Sequence, residues 1–370
     1  MINKIIPRTS SLTKSRIKKI KAAVLTELNK PLEILYLDIP KLLPGQVLVK
    51  ILFSGVCRSQ LMEMQGGRGL DPWIPHLLGH EGSGIVVDTG PGVTKVTEGD
   101  EVILGWLKSD GIDAPGAKYN SNIGVINAGP ITTFSNYAVV SENRLVKKPI
   151  GLTFDVAALY GCALPTGAGM VLNELNPSPS NTVAVLGLGG IGLSALMALK
   201  ALGVKKVIAI DVSSEKLELS KRLGADHIIN SNNENCALAV QKIMPSGVDI
   251  CIESAGTVST IELGFQLIRS KGGRLIFASH PPEGEKIALS PHELISGKSI
   301  SGSWGGGSRP DVDIPKMFQL FSSANTPLQS MLTKRYPLHN INDALSDLSS
   351  GQVFRPLIVM DHPEGNNEIV

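Results

Sequence analysis

Aromatic residues are scarce, at 4% of the 370 positions, and the chain has only four cysteines, Cys57, Cys162, Cys236 and Cys251. None of these forms a CxxC pair, which argues against both a disulfide framework and a zinc ribbon and fits a reducing compartment. A cytoplasmic protein is therefore expected. An excess of charge of one sign is also missing. With 35 basic and 33 acidic residues, net +2, there is no electrostatic footprint for nucleic acid or a membrane surface. No apolar run approaches the roughly 18 residues needed to span a bilayer. The richest helical stretch, ALMALKALG, is interrupted by Lys200. An apolar h-region of the kind found in secretory signals is absent, and residues 1–21 contain no acidic side chain. Without a clear amphipathic repeat, those residues read as a basic flexible arm rather than a transit peptide.

The hydrophobic fraction of 42% and charged fraction of 18% belong to an ordinary globular protein, long enough for two domains. From Ala22 to Val146, short β-like runs (AAVLTEL, QVLVKILFSGV, GSGIVVDTG, DEVILGW) are broken by Gly and Pro, which points to a barrel-like or sandwich-like domain. Residues 151–176 read as helices. From Asn181 the rhythm changes to TVAVLGLG, GIGLSALMALKALG, KVIAIDV, SEKLELSKRLGA and HIIN, a βαβαβ succession that predicts a parallel sheet covered by helices. The fold class is thus α/β, a β-rich domain joined to a doubly wound parallel sheet.

AVLGLGGIG carries Gly187, Gly189 and Gly192 in a GxGxxG spacing between a strand and a helix. The first glycine allows the tight turn, the second lets a pyrophosphate approach the backbone, and the third lets helix pack on strand. The phosphates would sit at the helix start, beside Gly190 and Ile191. Asp211 ends the next strand, near where an acidic residue binds the adenosine ribose, and it would repel a 2′-phosphate, which favours NAD. Capping of the following helix is the alternative role for Asp211. Lys216, one turn on, is placed to reach the same ribose.

Cys57 lies in GVCRSQLMEM, His80 and Glu81 in a glycine-flanked turn, and Cys162 in GCALPTGAG. Two thiolates and one imidazole suit a catalytic zinc with a free fourth position, although Cys57 alone would read as a buried thiol. Spacing does not connect residues so far apart. Their contexts do: GVCRS, GHEGSGIVVDTGPGVTKVTEGDEV, GCALPTGAG and GLGGIG with Asp211 resemble, in order, the signatures of the zinc-containing alcohol dehydrogenases of the medium-chain dehydrogenase/reductase superfamily.

The resemblance covers residues 22–361. It implies a GroES-like catalytic domain from both chain ends (22–163 and 303–370) with a Rossmann NAD-binding domain (164–302) inserted. It implies Cys57, His80 and Cys162 as ligands of one catalytic zinc, with Glu81 able to approach the metal transiently. Arg58 and Arg355 would bind the cofactor pyrophosphate, Ser59 would take the proton from the alcohol, and Trp106 would line the substrate pocket or merely pack in the core. Hydride would pass between a small-molecule alcohol and NAD, in a homodimer or homotetramer joined through GGRLIFASH and KSISGSW.

Three departures from the family pattern stand out. The segment after Trp106 lacks the cysteines of a structural zinc, so none is expected, and its length and polarity suggest a cover over the active site or a subunit contact. An aspartate that holds the zinc-binding histidine is replaced by Gln60, which can accept the same imidazole N–H without charge. The relay histidine is replaced by Met62, leaving the cofactor ribose or His76 to pass the proton on. A polar or sugar-like alcohol is expected from the hydroxyl- and amide-rich segment after Trp106. The competing readings are a zinc-free NADPH-dependent quinone or enoyl reductase of the same superfamily, and a dinucleotide-binding protein without turnover.

Overall fold

The computed structural model describes residues 17–279 and 281–362. Residues 1–16 of the expected arm lie outside them. Its last residues do not behave as an arm: strand Lys19–Leu25 begins at Lys19, with Ile20 fully buried. Lysines on either side of Ile20 made the stretch look solvated, but strand alternation turns the isoleucine alone into the core.

Five strands close a small barrel in the order Lys19–Leu25, Glu33–Asp38, Lys118–Ser121, Gly124–Asn127 and His76–Leu77. Its interior is a cluster of Ile20, Ala22, Val24, Leu37, Tyr119 and Ile126. Part of the segment after Trp106, Lys118–Ser121 and Gly124–Asn127, therefore belongs to the barrel wall. It forms an antiparallel hairpin whose inward residues, Tyr119 and Ile126, are register partners, and the Tyr119 hydroxyl accepts the Val139 N–H at 2.8 Å. Period-two alternation of one apolar residue among polar ones is a half-buried strand, and these strands are too short for that signal to stand out.

A seven-stranded sheet runs Leu145–Lys147, Glu101–Gly105, Glu81–Thr89, Gln46–Gly55, Arg355–Val359 and Leu332–Pro337, with Tyr137–Ser141 also paired to Gln46–Gly55. The C-terminal strand Arg355–Val359 thus returns to pair with Gln46–Gly55. The third sheet has six strands, all parallel, in the order His227–Asn230, Lys206–Asp211, Thr182–Leu186, Ile250–Glu253, Arg274–Phe277 and Ser299–Gly302. Val183 and Val185 pack into one core while Ala184 and Leu186 pack into another. The sheet is therefore covered on both faces, which is why TVAVL is continuously apolar instead of alternating.

Both parts of the expected α/β architecture, the GroES-like part and the Rossmann part, are present. Strand order reverses between Thr182–Leu186 and Ile250–Glu253, and at such a switch point open α/β sheets bind ligands beyond the strand C-termini. Ser299–Gly302 is an edge strand, whereas Arg274–Phe277 is interior with neighbours on both sides. Of the two stretches expected at a subunit contact, only the one containing Ser299–Gly302 has a free edge. No helix among the described residues is long and apolar enough to cross a membrane.

Candidate active site

Three chain segments deliver Cys57, His80 and Cys162 to one place. Cys57 is the N-cap of helix Arg58–Met64, immediately after strand Gln46–Gly55. His80 follows Gly79, whose φ of +89° and whose Cβ position, 2.5 Å from Thr133 Oγ1, leave room only for glycine. Cys162 is the N-cap of helix Ala163–Gly169 and follows Gly161, where an added Cβ would lie 2.2 Å from the Leu104 carbonyl oxygen. That close approach of backbone to sheet brings the second cysteine to the histidine.

The donor atoms of Cys57, His80 and Cys162 all lie within 4.8 Å of one another, with His80 Nε2 at 3.3 Å from Cys162 Sγ. The hydrogen bond from Cys162 holds the Cys57 thiol well below its ordinary range, against the opposing effect of burial and with help from Arg355 and His80. The same bond, with burial, pushes Cys162 up. Two sulfurs and an imidazole are donors that suit Zn2+ far better than Mg2+ or Ca2+.

Glu81 is not gathered with these donors. Its carboxylate is fully buried and its Oε2 accepts from Arg355 Nη2 at 2.5 Å. Burial raises the Glu81 pKa, opposed first by the Arg355 charge. Burial works against the Arg355 charge too, but Glu81, Cys57 and Cys162 hold its pKa well above the ordinary value. Arg355 also faces the nucleotide loop, since an added Cβ on Gly190 would lie 3.1 Å from its Nη1. The guanidinium thus bridges the cysteine cluster and the start of helix Gly190–Ala201. Arg58 is exposed at the first position of its helix.

The glycine loop has the geometry that its spacing requires. Gly187 has φ +87°, an added Cβ on Gly192 would lie 1.9 Å from the Gly187 carbonyl oxygen, and Gly189 faces open space. Ile191 is pinned from the other side, because Gly167 of helix Ala163–Gly169 packs with its Cβ position 2.1 Å from the Ile191 carbonyl oxygen. The helix that starts on Cys162 therefore lies directly on the helix that starts the nucleotide loop. Asp211 ends strand Lys206–Asp211; its Oδ2 accepts Leu188 N–H at 2.6 Å and its Oδ1 accepts Ser213 N–H at 2.9 Å. Ser213, not Asp211, caps the next helix, accepting the Lys216 N–H.

Residues 43–150 match the family described as "Alcohol dehydrogenase GroES-like domain", and residues 190–323 match "Zinc-binding dehydrogenase". The chain belongs to the zinc-containing alcohol dehydrogenase family of the medium-chain dehydrogenase/reductase superfamily. It is similar to the benzyl alcohol dehydrogenase of Acinetobacter calcoaceticus, at 29% identity over 93% of this chain and 100% of that one, with a TM-score of 0.85. An alcohol dehydrogenase zinc-binding domain protein from Burkholderia ambifaria is 28% identical over 93% and 99%, TM-score 0.85. The alcohol dehydrogenase of Aeropyrum pernix is 28% identical over 92% and 99%, TM-score 0.76. The protein is accordingly an oxidoreductase of the alcohol dehydrogenase family.

Around the cluster, Ser59 Oγ, Trp106 Nε1, Glu81 Oε1 and Arg355 Nε are buried polar atoms that no protein group satisfies. Buried polar groups normally find a partner, so an orphan beside a donor cluster is an opening for a bound one. Trp106 follows Gly105, the register partner of Glu81, so Trp106 and His80 leave the ladder together. Its ring meets that of Trp304 edge-on, with centroids 5.1 Å apart. Trp304 was not anticipated as part of this surroundings; the one signal for it is its place just beyond the last strand of the parallel sheet.

One expectation meets a different arrangement. Gln60 turns its Oε1 to the Cys57 N–H at 2.8 Å, so its Nε2 faces His80 Nδ1 and donates where acceptance was expected. His76 holds its own neighbours: its Nε2 lies 2.9 Å from Asp71 Oδ2 and its Nδ1–H donates to the Leu77 carbonyl. Cys236 and Cys251 are buried away from the site in a separate core.

Proposed function

We propose that this protein is a zinc-dependent, NAD-linked alcohol dehydrogenase. The observation that carries the reading is the convergence of Cys57, His80 and Cys162 within 4.8 Å, beside helix packing that joins Cys162 to the glycine loop. The residues fit the metal: Cys57, His80 and Cys162 would hold one zinc and leave a fourth position open. Zinc would supply a Lewis acid and NAD a hydride acceptor. Ser59 Oγ, buried and without a protein partner, would take the hydroxyl proton. Arg355 would fix the cofactor phosphates against the helix start and, through Glu81, the position of the cysteine cluster. Gly187, Gly189, Gly190, Ile191 and Gly192 would form the phosphate cradle, and Arg58 would contact the pyrophosphate from the exposed side.

Part of the segment that suggested a polar substrate, Lys118–Ser121 and Gly124–Asn127, is a barrel hairpin. Trp106 and Trp304, whose rings meet edge-on, would give the site an aromatic wall. We therefore take the substrate to be an alcohol with an apolar or aromatic body, like the benzyl alcohol named for the Acinetobacter enzyme. The test is NAD reduction by the zinc-loaded protein across aromatic, aliphatic and polyol alcohols. Aromatic alcohols should give the highest kcat/KM. Turnover of none of them with zinc and NAD bound would favour a binding protein, and NADPH-linked activity in zinc-free protein would favour the reductase reading.

Asp211 supplies the cofactor prediction. Juxtaposing its carboxylate with a 2′-phosphate costs several kcal/mol, and about 1.4 kcal/mol is tenfold in affinity. Asp211→Ala should move the NADP-to-NAD affinity ratio at least about tenfold towards NADP, read by titration calorimetry. An unchanged ratio would remove Asp211 from the ribose site.

A further inference from the structure

Helix Arg58–Met64 begins on Cys57, and Gln60, at its third position, folds its side chain back to that start. Gln60 Oε1 accepts the Cys57 N–H at 2.8 Å, capping a donor that the helix itself leaves free. The other end of the same amide, Nε2, lies 2.5 Å from His80 Nδ1 and donates to it. Gln60 is 2% exposed, so water cannot stand in for either contact. With Nδ1 accepting, the neutral imidazole carries its proton on Nε2, the atom that faces Cys162 Sγ.

Metal binding through Nε2 needs the lone pair on that atom, which moves the ring proton to Nδ1. Two N–H groups, the Cys57 backbone and His80 Nδ1–H, then converge on one side chain. A carboxylate has an oxygen for each. Glutamine has one oxygen and one NH2 group, so whichever way its amide faces, one N–H meets another.

We propose that Gln60 is a positioning residue that holds His80 in the tautomer unable to bind zinc, so that metal loading requires the amide to turn over and release the helix cap. The proposal rests on the zinc reading above. Its consequence is a cluster that binds zinc more weakly, and gives it up more readily, than the same three ligands would beside a carboxylate.

The test compares the full-length protein with Gln60→Glu, which is nearly isosteric and has two acceptor oxygens, and with Gln60→Leu, which has none. Zinc affinity is measured by competition with a chromophoric chelator, and the His80 tautomer of the metal-free protein by 15N NMR after histidine labelling. We expect His80 to carry its proton on Nε2 in the parent and on Nδ1 in Gln60→Glu. Zinc should bind at least about tenfold more tightly to Gln60→Glu, the scale on which hydrogen-bond partners of metal ligands act, and to Gln60→Leu, which lacks the amide that holds the Nε2–H tautomer, at least as tightly as to the parent but less tightly than to Gln60→Glu. The tautomer separates this hydrogen-bond effect from the added negative charge. Parent protein already protonated on Nδ1, or zinc affinities of parent and Gln60→Glu within twofold, would overturn the proposal while leaving the zinc reading intact. Zinc bound by neither protein would sink the zinc reading itself, and an unchanged tautomer in Gln60→Glu would then overturn the hydrogen-bond claim independently.

Discussion

Cys57→Ala should lose its zinc and with it at least about a thousandfold in kcat/KM, while NAD affinity stays within twofold. The size follows from what a Lewis acid contributes to charge stabilisation, several kcal/mol, at about 1.36 kcal/mol per tenfold in rate. Cys57 is only half-buried, and although its side chain caps the Gln60 backbone N–H, its own backbone N–H keeps the bond to Gln60 Oε1 when the thiol is removed. Truncation should therefore leave the helix start in place. The glycine loop belongs to a different sheet, so nucleotide binding is a control on folding. Elemental mass spectrometry, turnover and calorimetry on the same preparation check all three. Activity within tenfold of the parent, with zinc absent, would show that the metal is not part of the reaction.

Arg355→Ala should destabilise the protein by about 3–5 kcal/mol, the cost of leaving a buried charge without its partner. Glu81 is fully buried, and Arg355 is its ion-pair partner. Its Oε1 makes no hydrogen bond and packs where an added Cβ on Gly55 would sit, at 2.6 Å. Without the guanidinium, the largest influence opposing burial is gone, and the Glu81 pKa should rise further above its ordinary value. A carboxyl whose folded pKa is raised favours the folded state at low pH and loses that contribution as pH rises through the folded value. The deficit in the urea midpoint should accordingly widen from mildly acidic to neutral pH. Replacing both residues, Glu81→Gln with Arg355→Met, should recover much of the loss, because an uncharged pair has no charge to desolvate. A pH-independent deficit would mean that Arg355 stabilises through packing alone.

How much of this was legible in the sequence depended on how local each feature is. The glycine loop, the helix after it and Asp211 lie within one βαβ stretch, so strand, turn and acid could be read together. The cysteine cluster is different. His80 and Cys162 are 82 residues apart, and only the resemblance of their contexts to a family joined them. Glu81 and Arg355 are separated by 274 residues, and no spacing rule predicts that pairing. The barrel hairpin was hidden for a related reason. Its strands are four residues each, and their meaning lies in partners supplied from elsewhere, as in the Asp38–Asn120 and His76–Asn127 pairs. Polarity of the exposed face then looked like polarity of the whole segment.

Gln60 was visible as a departure, yet its hydrogen bonding was not. An amide can accept an imidazole N–H in principle, and the sequence alone does not say that the same oxygen is already committed to capping the helix on which the first cysteine sits. That competition appears only when the helix start and the histidine turn are seen together.

The most direct test of the central claim is X-ray absorption at the zinc edge on protein loaded with one equivalent of the metal. Cys57, His80 and Cys162 as ligands predict two sulfur scatterers at about 2.3 Å, one imidazole nitrogen at about 2.0 Å and one further light atom. A shell of nitrogen and oxygen only, or a protein that retains no zinc, would contradict it.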